Sequence, residues 1–152
     1  MSSALAYLAT QQVFHNDIKP FNIAYSPNRG AVLMDFGIAS MDEGEKAGGT
    51  SWYLPPEYLE GGIRGSSGDV WALGITMLFV LGKIDLPEMM KDWRAVRKGR
   101  RMRAWFEFIA QTRAQLNHGD KVEHLVHQML ERDPLLRIKA ADIESALPEK
   151  SE

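Results

Sequence analysis

Apolar and polar positions along this chain repeat with two different periods, and each stretch predicts an element. In residues 4–12, Leu5, Tyr7, Leu8 and Ala9 are followed by polar Thr10, Gln11 and Gln12, which predicts a short helix delivering the chain to His15. From Asn22 the pattern changes to Ile23-Ala24-Tyr25, then Ser26-Pro27-Asn28-Arg29-Gly30, then Ala31-Val32-Leu33-Met34. Two β-prone runs around Pro, Asn and Gly read as a hairpin, because those residues supply the φ angles a tight reversal needs. Residues 40–51 are small, acidic or glycine and predict a flexible loop. Pro55-Pro56 sets the start of a short helix through Glu60, broken by Gly61-Gly62. Asp69 to Leu81 is apolar on every face, which predicts a buried central helix capped by Ser66, Ser67 or Asp69. Val122, Leu125, Val126, Met129 and Leu130 form the stripe of a further helix lying on that core.

Composition narrows this to one ordinary globular unit. The chain has 152 residues, 45% hydrophobic and 25% charged, so a sizeable core is possible without metal or disulfide support. There is no internal repeat and no linker long enough to divide it. A formal charge of -2 argues against a protein that coats itself in nucleic acid. The absence of cysteine excludes disulfides, Cys-ligated zinc, iron–sulfur clusters and thiol catalysis. The start carries no secretory pattern, and the greasy run from Val70 to Leu81 falls short of a membrane span. A soluble intracellular protein, cytoplasmic or nuclear and without membrane contact, is the expectation.

Candidate chemistry lies at the open end of the hairpin. With the turn centred near Asn28, Asn22 and Asp35 leave the two strands side by side. An amide oxygen and a carboxylate there suit Mg²⁺, a hard ion that completes its shell with phosphate and water. Asp17 and Lys19 stand on the loop entering the hairpin. A carboxylate, an ammonium and a metal site within one loop suggest phosphoryl transfer, whose catalysis is mostly positioning and charge neutralisation.

The same residues carry a family resemblance. His15-Asn16-Asp17-Ile18-Lys19-Pro20-Phe21-Asn22 resembles the catalytic loop of eukaryotic-type protein kinases, and Asp35-Phe36-Gly37 resembles their metal-binding triplet. Gly49-Thr50 with Pro55-Pro56-Glu57 is similar to the end of a kinase activation segment. Asp69-Val70-Trp71-Ala72-Leu73-Gly74 resembles the start of the central helix of the kinase C-terminal lobe, and Asp133-Pro134 with Arg137 resembles its closing arginine motif. Five ordered matches are far more specific than any one alone. The resemblance implies a mainly α fold with short β-hairpins, a kinase-like C-terminal lobe over residues 1–147, and a polar tail at 148–152.

By position, the resemblance implies that Asp17 accepts or orients the substrate hydroxyl proton and that Lys19 balances charge on the transferring phosphate of ATP. Asn22 and Asp35 would hold Mg²⁺, and Ala24 and Met34 would floor the adenine site. His15, Phe36, Gly37, Asp69 and Trp71 would be structural. Glu57 would pair with Arg137, a bridge whose loss on one side typically costs about 3–5 kcal/mol. Lys19 and Thr50 point to protein substrates phosphorylated on serine or threonine.

Departures from the family pattern carry expectations of their own. Asn16 stands where an arginine commonly follows this histidine and partners a segment phosphate, so control by phosphorylation of residues 40–51 is not expected. No glycine-rich loop, strand lysine or partnering helix glutamate stands upstream of Ala4. The ATP-covering lobe is therefore expected to come from elsewhere, from a separate chain or a missing segment, and this chain alone to be poorly active. A catalytically silent pseudokinase fragment acting as an interaction module is the alternative. His118, His124 and His127 include an i, i+3 pair that could begin a zinc site, but no carboxylate or third ligand stands at sensible spacing, and they are expected to face solvent. Seven of the eighteen Lys and Arg residues lie within positions 91–103, read as a solvated helix face, with a docking surface as the alternative.

Overall fold

The computed structural model describes residues 2–42, 49–59, 61, 65–86 and 98–147. Its axis is a helix, α3 (Ser66–Val80), whose Val70, Trp71, Leu73, Ile75 and Leu78 are all buried. A helix apolar all round is stable only when neighbours cover every face. On one side α5 (Lys121–Met129) packs through Leu125, Val126 and Met129. Elsewhere α1 (Ser2–Thr10) and α6 (Ala140–Ala146) pack on each other and on α3, contributing Leu5, Ala140 and Ile143 to one continuous core.

The hairpin forms as two antiparallel strands, β1 (Ile23–Ser26) and β2 (Gly30–Leu33), with Ile23 opposite Leu33 and Ser26 opposite Gly30. A 3₁₀ turn over Pro20–Asn22 precedes β1, begun by a proline whose fixed φ suits a helical first position. The short helix after the proline pair is α2 (Pro56–Leu59).

Two features differ from the sequence reading. The central helix begins at Ser66, after Gly65 in extended conformation, with no side-chain cap. Ser66, Ser67 and Asp69 therefore lie inside the helix; Ser67 and Asp69 bond to distant segments instead. Within 40–51, Ser40 bridges Phe14 and Ser51 opens a 3₁₀ turn through Tyr53, so the ends of that loop are ordered; residues 43–48 lie outside the described residues.

A long helix missing from the sequence reading, α4 (Lys98–Ala114), buries Met102, Trp105, Phe106 and Ile109 at helical spacing. Trp105 is fully buried, donates its indole N–H to the Trp52 carbonyl at 2.9 Å and meets the Trp52 ring edge-on. The basic run belongs only partly to this helix: Arg103 is exposed and Arg101 partly so, while residues 91–97 and the 148–152 tail lie outside the described residues. Among the described residues no helix is long and apolar enough to cross a membrane.

Candidate active site

The loop from His15 to Asn22 is held from below by α3. Asp69, buried one turn into that helix, accepts from the His15 N–H at 2.7 Å through Oδ2 and from the Asn16 N–H at 2.9 Å through Oδ1. The His15 ring, with no exposure, donates from Nε2 to the Met34 carbonyl at 2.9 Å, while its Nδ1 accepts from the Asp17 N–H at 3.3 Å. One imidazole thus ties the loop to the end of β2. Phe36 stacks edge-on against it, with ring centroids 4.8 Å apart.

Asp17 is the centre of the polar network above this frame. Its Oδ2 accepts from Lys19 Nζ at 2.7 Å and from Asn22 Nδ2 at 3.0 Å; its Oδ1 accepts from the Thr50 N–H at 3.1 Å and the Thr50 hydroxyl at 2.9 Å. Lys19 also donates to Thr50 Oγ1 at 2.8 Å. Gly49, at φ 110°, makes the left-handed turn that delivers Thr50, a conformation open to glycine at no steric cost. Burial pushes the Asp17 carboxyl up, but the bonds from Lys19 and Thr50, the Lys19 charge and the Thr50 N–H outweigh it and hold its pKa below the usual aspartate value.

Asn22 is buried and gives its amide nitrogen to Asp17 twice, to the side chain and to the backbone carbonyl at 2.7 Å. Its amide oxygen is thereby left to serve as a ligand. Asp35 lies one residue past Met34, whose N–H donates to the Asn22 carbonyl at 2.8 Å, so the two residues do sit at the same end of the hairpin. Asp35 is exposed and holds a left-handed φ of 59°, and its Oδ1 accepts from the Gly37 N–H at 3.2 Å. A non-glycine residue at positive φ is costly and tends to persist at functional sites. An amide oxygen and an exposed carboxylate are ligand types suited to Mg²⁺. The structure joins Asp17, Lys19, Asn22 and Thr50 directly, while Asp35 stands at the adjoining edge. Ala24 pairs with Val32 across the hairpin, and Met34 is 44% exposed.

A second polar centre fixes the segment that follows Thr50. Arg137, 4% exposed, grips Glu57 with two parallel bonds of 2.7 and 2.9 Å. Its remaining N–H groups donate to Ser67 and to the carbonyls of Glu131 and Arg132, and the guanidinium lies 5.1 Å from the Trp71 ring centroid. A buried cation is tolerated only when its donors are met in this way. The three histidines cluster beside α5: His118 and His124 are exposed, but His127 is half-buried against the His118 ring at 4.4 Å, so solvent-facing describes only two of them. Among the described residues no three His, Cys, Asp or Glu side chains converge as a metal-ligand group.

Sequence reasoning missed two site contacts, the Phe14–Ser40 bridge and the bond from the Asn16 amide to the Ile38 carbonyl at 3.2 Å. Neither leaves a periodic signal, because each joins residues more than twenty positions apart.

Comparison with known proteins agrees with this arrangement. Residues 1–146 match the protein kinase domain. The chain is 34% identical over 146 residues, 90% of its length, to a probable myosin light chain kinase of Dictyostelium discoideum, and covers 28% of that protein. It is 30% identical to the serine/threonine-protein kinase PKZ1 of Phytophthora infestans, with 92% of this chain and 40% of that protein aligned. Half of the chain, 51%, is 40% identical to the MAP kinase kinase skh1/pek1 of Schizosaccharomyces pombe, covering 22% of it. The chain thus spans less than half the length of each of these relatives. With a family match running through the His15–Asn22 loop, the hairpin and the Glu57–Arg137 pair, this chain belongs to the protein kinase domain family.

Proposed function

We propose that this chain is the catalytic and peptide-binding half of a serine/threonine protein kinase. The observation that carries the reading is the Asp17 carboxylate, held by a cation, an amide and a hydroxyl while remaining ionised. In this role Asp17 orients a substrate hydroxyl and takes its proton as the oxygen bonds to the γ-phosphorus of ATP and the bond from that phosphorus to the leaving ADP oxygen breaks. Lys19 offsets charge gathering on the transferred group, and Thr50, on both Asp17 and Lys19, keeps the pair in register with the peptide-binding segment. Asn22 and Asp35 are the residues that would hold Mg²⁺. Bound Mg-ATP supplies the phosphoryl group and the divalent charge that neutralises its oxygens. Ala24 and Met34 lie on the hairpin where an adenine floor is proposed. Exposed Tyr25, Met34 and Phe36 on and beside the hairpin support a covering lobe, supplied by an upstream segment or a separate chain, that completes the nucleotide site.

The test is Mg-ATP-dependent phosphorylation of a serine- and threonine-containing peptide by this chain fused to an ATP-covering lobe, with Asp17→Ala beside it. Asp17→Ala is expected to lower kcat by a factor of about 10² to 10³, the scale of one lost transition-state contact. Equal activity in both removes Asp17 from this role. No transfer by a folded fusion selects the silent interaction module instead.

A further inference from the structure

We infer that Asn16 is a positioning residue: its side-chain amide ties the Asp35–Ser40 segment to the catalytic loop, keeping the two carboxylates in register with no phosphate on the segment. The inference rests on the kinase reading above and adds a regulatory property to that site.

Asn16 is clamped from one side and reaches out on the other. Its backbone N–H is held by Asp69, and its φ of 66° is left-handed, a conformation asparagine accepts better than most side chains. From that backbone the Nδ2 group donates to the Ile38 carbonyl at 3.2 Å. The segment it reaches starts at strained Asp35, turns through an Ala39 N–H to Phe36 carbonyl bond of 3.0 Å and ends in the paired Phe14–Ser40 bonds of 2.8 and 3.0 Å. Phe36 on His15 anchors its front, the bridge anchors its back, and Asn16 holds the middle. Together these contacts connect α3, through Asp69 and Asn16, to the residue beside the metal position.

The chemistry of the neighbouring loop points the same way. Residues 41–49, Met-Asp-Glu-Gly-Glu-Lys-Ala-Gly-Gly, contain no serine, threonine or tyrosine. Of the flanking hydroxyls, Ser40 Oγ accepts from the Asp42 N–H at 3.0 Å and the Thr50 hydroxyl is on Asp17, while Ser51 opens the 3₁₀ turn that follows. Nor does position 16 offer a guanidinium to receive a phosphate. A neutral amide-to-carbonyl bond therefore does the holding, and it needs no modifying enzyme.

Hydrogen exchange on this chain, phosphate-free by mass spectrometry, tests the proposal without reference to activity. Asn16→Gly keeps the backbone conformation and removes the amide; Asn16→Asp keeps the shape and removes the donor. Both are expected to speed exchange at the Ala39 and Ser40 amides about fivefold, the equivalent of one net hydrogen bond, while Ile75 and Leu78 in α3 stay unchanged. Unchanged exchange at Ala39 and Ser40 overturns the tie. Faster exchange throughout α3 as well assigns Asn16 to general stability and also overturns it. In the fused kinase, Asn16→Gly is expected to raise the Mg²⁺ concentration giving half-maximal rate while leaving peptide KM unchanged, and phosphatase treatment of the parent to leave its rate unaltered. An unmoved Mg²⁺ midpoint overturns the link to Asp35. A fusion with no activity at all overturns the kinase reading and leaves the exchange result to judge the tie.

Discussion

Asp17 shows how one carboxylate can be both half-buried and charged. Burial alone favours the neutral acid, and the bonds from Lys19 and Thr50 together with the Lys19 charge reverse the balance. In the proposed role, a carboxylate held ionised across the neutral range is available for a hydroxyl proton at any physiological pH. Removing the main cation should restore the burial effect. Lys19→Met is therefore expected to raise the Asp17 midpoint, read by carboxyl-carbon NMR titration of the folded chain; a midpoint that stays or falls contradicts the assigned cause. Asp17, Lys19, Asn22 and Asp35 were legible in the sequence as residue types at a spacing, since short-range spacing along a loop and hairpin constrains which side chains can meet. Thr50 on Asp17 was legible only as part of a motif. Its contact with a residue 33 positions earlier depends on how the intervening chain is folded back.

Between elements, the deciding contacts are helix on helix. A Cβ added at Gly74 in α3 would lie 2.9 Å from Leu130 Cδ2 and 3.1 Å from Met129 Cβ, well inside ordinary contact. Glycine here permits α3 and α5 to approach closely, and it accounts for a residue otherwise unfavourable within a helix. Gly74→Ala should destabilise the fold by about 1–3 kcal/mol despite alanine's better propensity, because Met129 and Leu130 are buried and have little room to yield. Thermal melting checks the sign, and an unchanged or raised Tm would show that the two helices can separate at little cost. The α3 and α5 stripes were readable because apolar periodicity is a local property. The α4 stripe of Met102, Trp105, Phe106 and Ile109 is equally periodic, but it begins inside the basic run of 91–103, whose charge by itself favours a solvated face. The cap of α3 was misplaced for a different reason: Ser67 and Asp69 have capping chemistry, but distant partners, Arg137 and the His15–Asn16 backbone, claim it.

Across the whole molecule, acid sensitivity should arise first at the histidine cluster. Burial holds the His127 imidazole below its usual value of 6.5, with the charges of Arg113, His118 and His124 adding to that and Glu131 opposing. The unfolded chain then binds the proton first, so stability is full above pH 6.5 and falls as pH drops below it, until the folded ring is protonated too. The carboxylates held low, Asp17, Glu123 and Glu131, add their losses only below their usual values of 3.8 to 4.5. Melting temperature is expected to decline as pH drops below 6.5, and less steeply in His127→Gln; identical slopes would place the sensitivity elsewhere. By itself the sequence determined the chain's class, its central helix, its hairpin and the residue types of the site, because apolar period, turn chemistry and loop spacing act over a few residues. Tertiary structure alone decided that Asp69 clamps the His15–Asn22 loop, that Asn16 reaches Ile38 and that Arg137 closes on Glu57, 80 positions away. Those contacts form only once helix packing has brought separate stretches of backbone within hydrogen-bonding distance, and no local pattern encodes that distance.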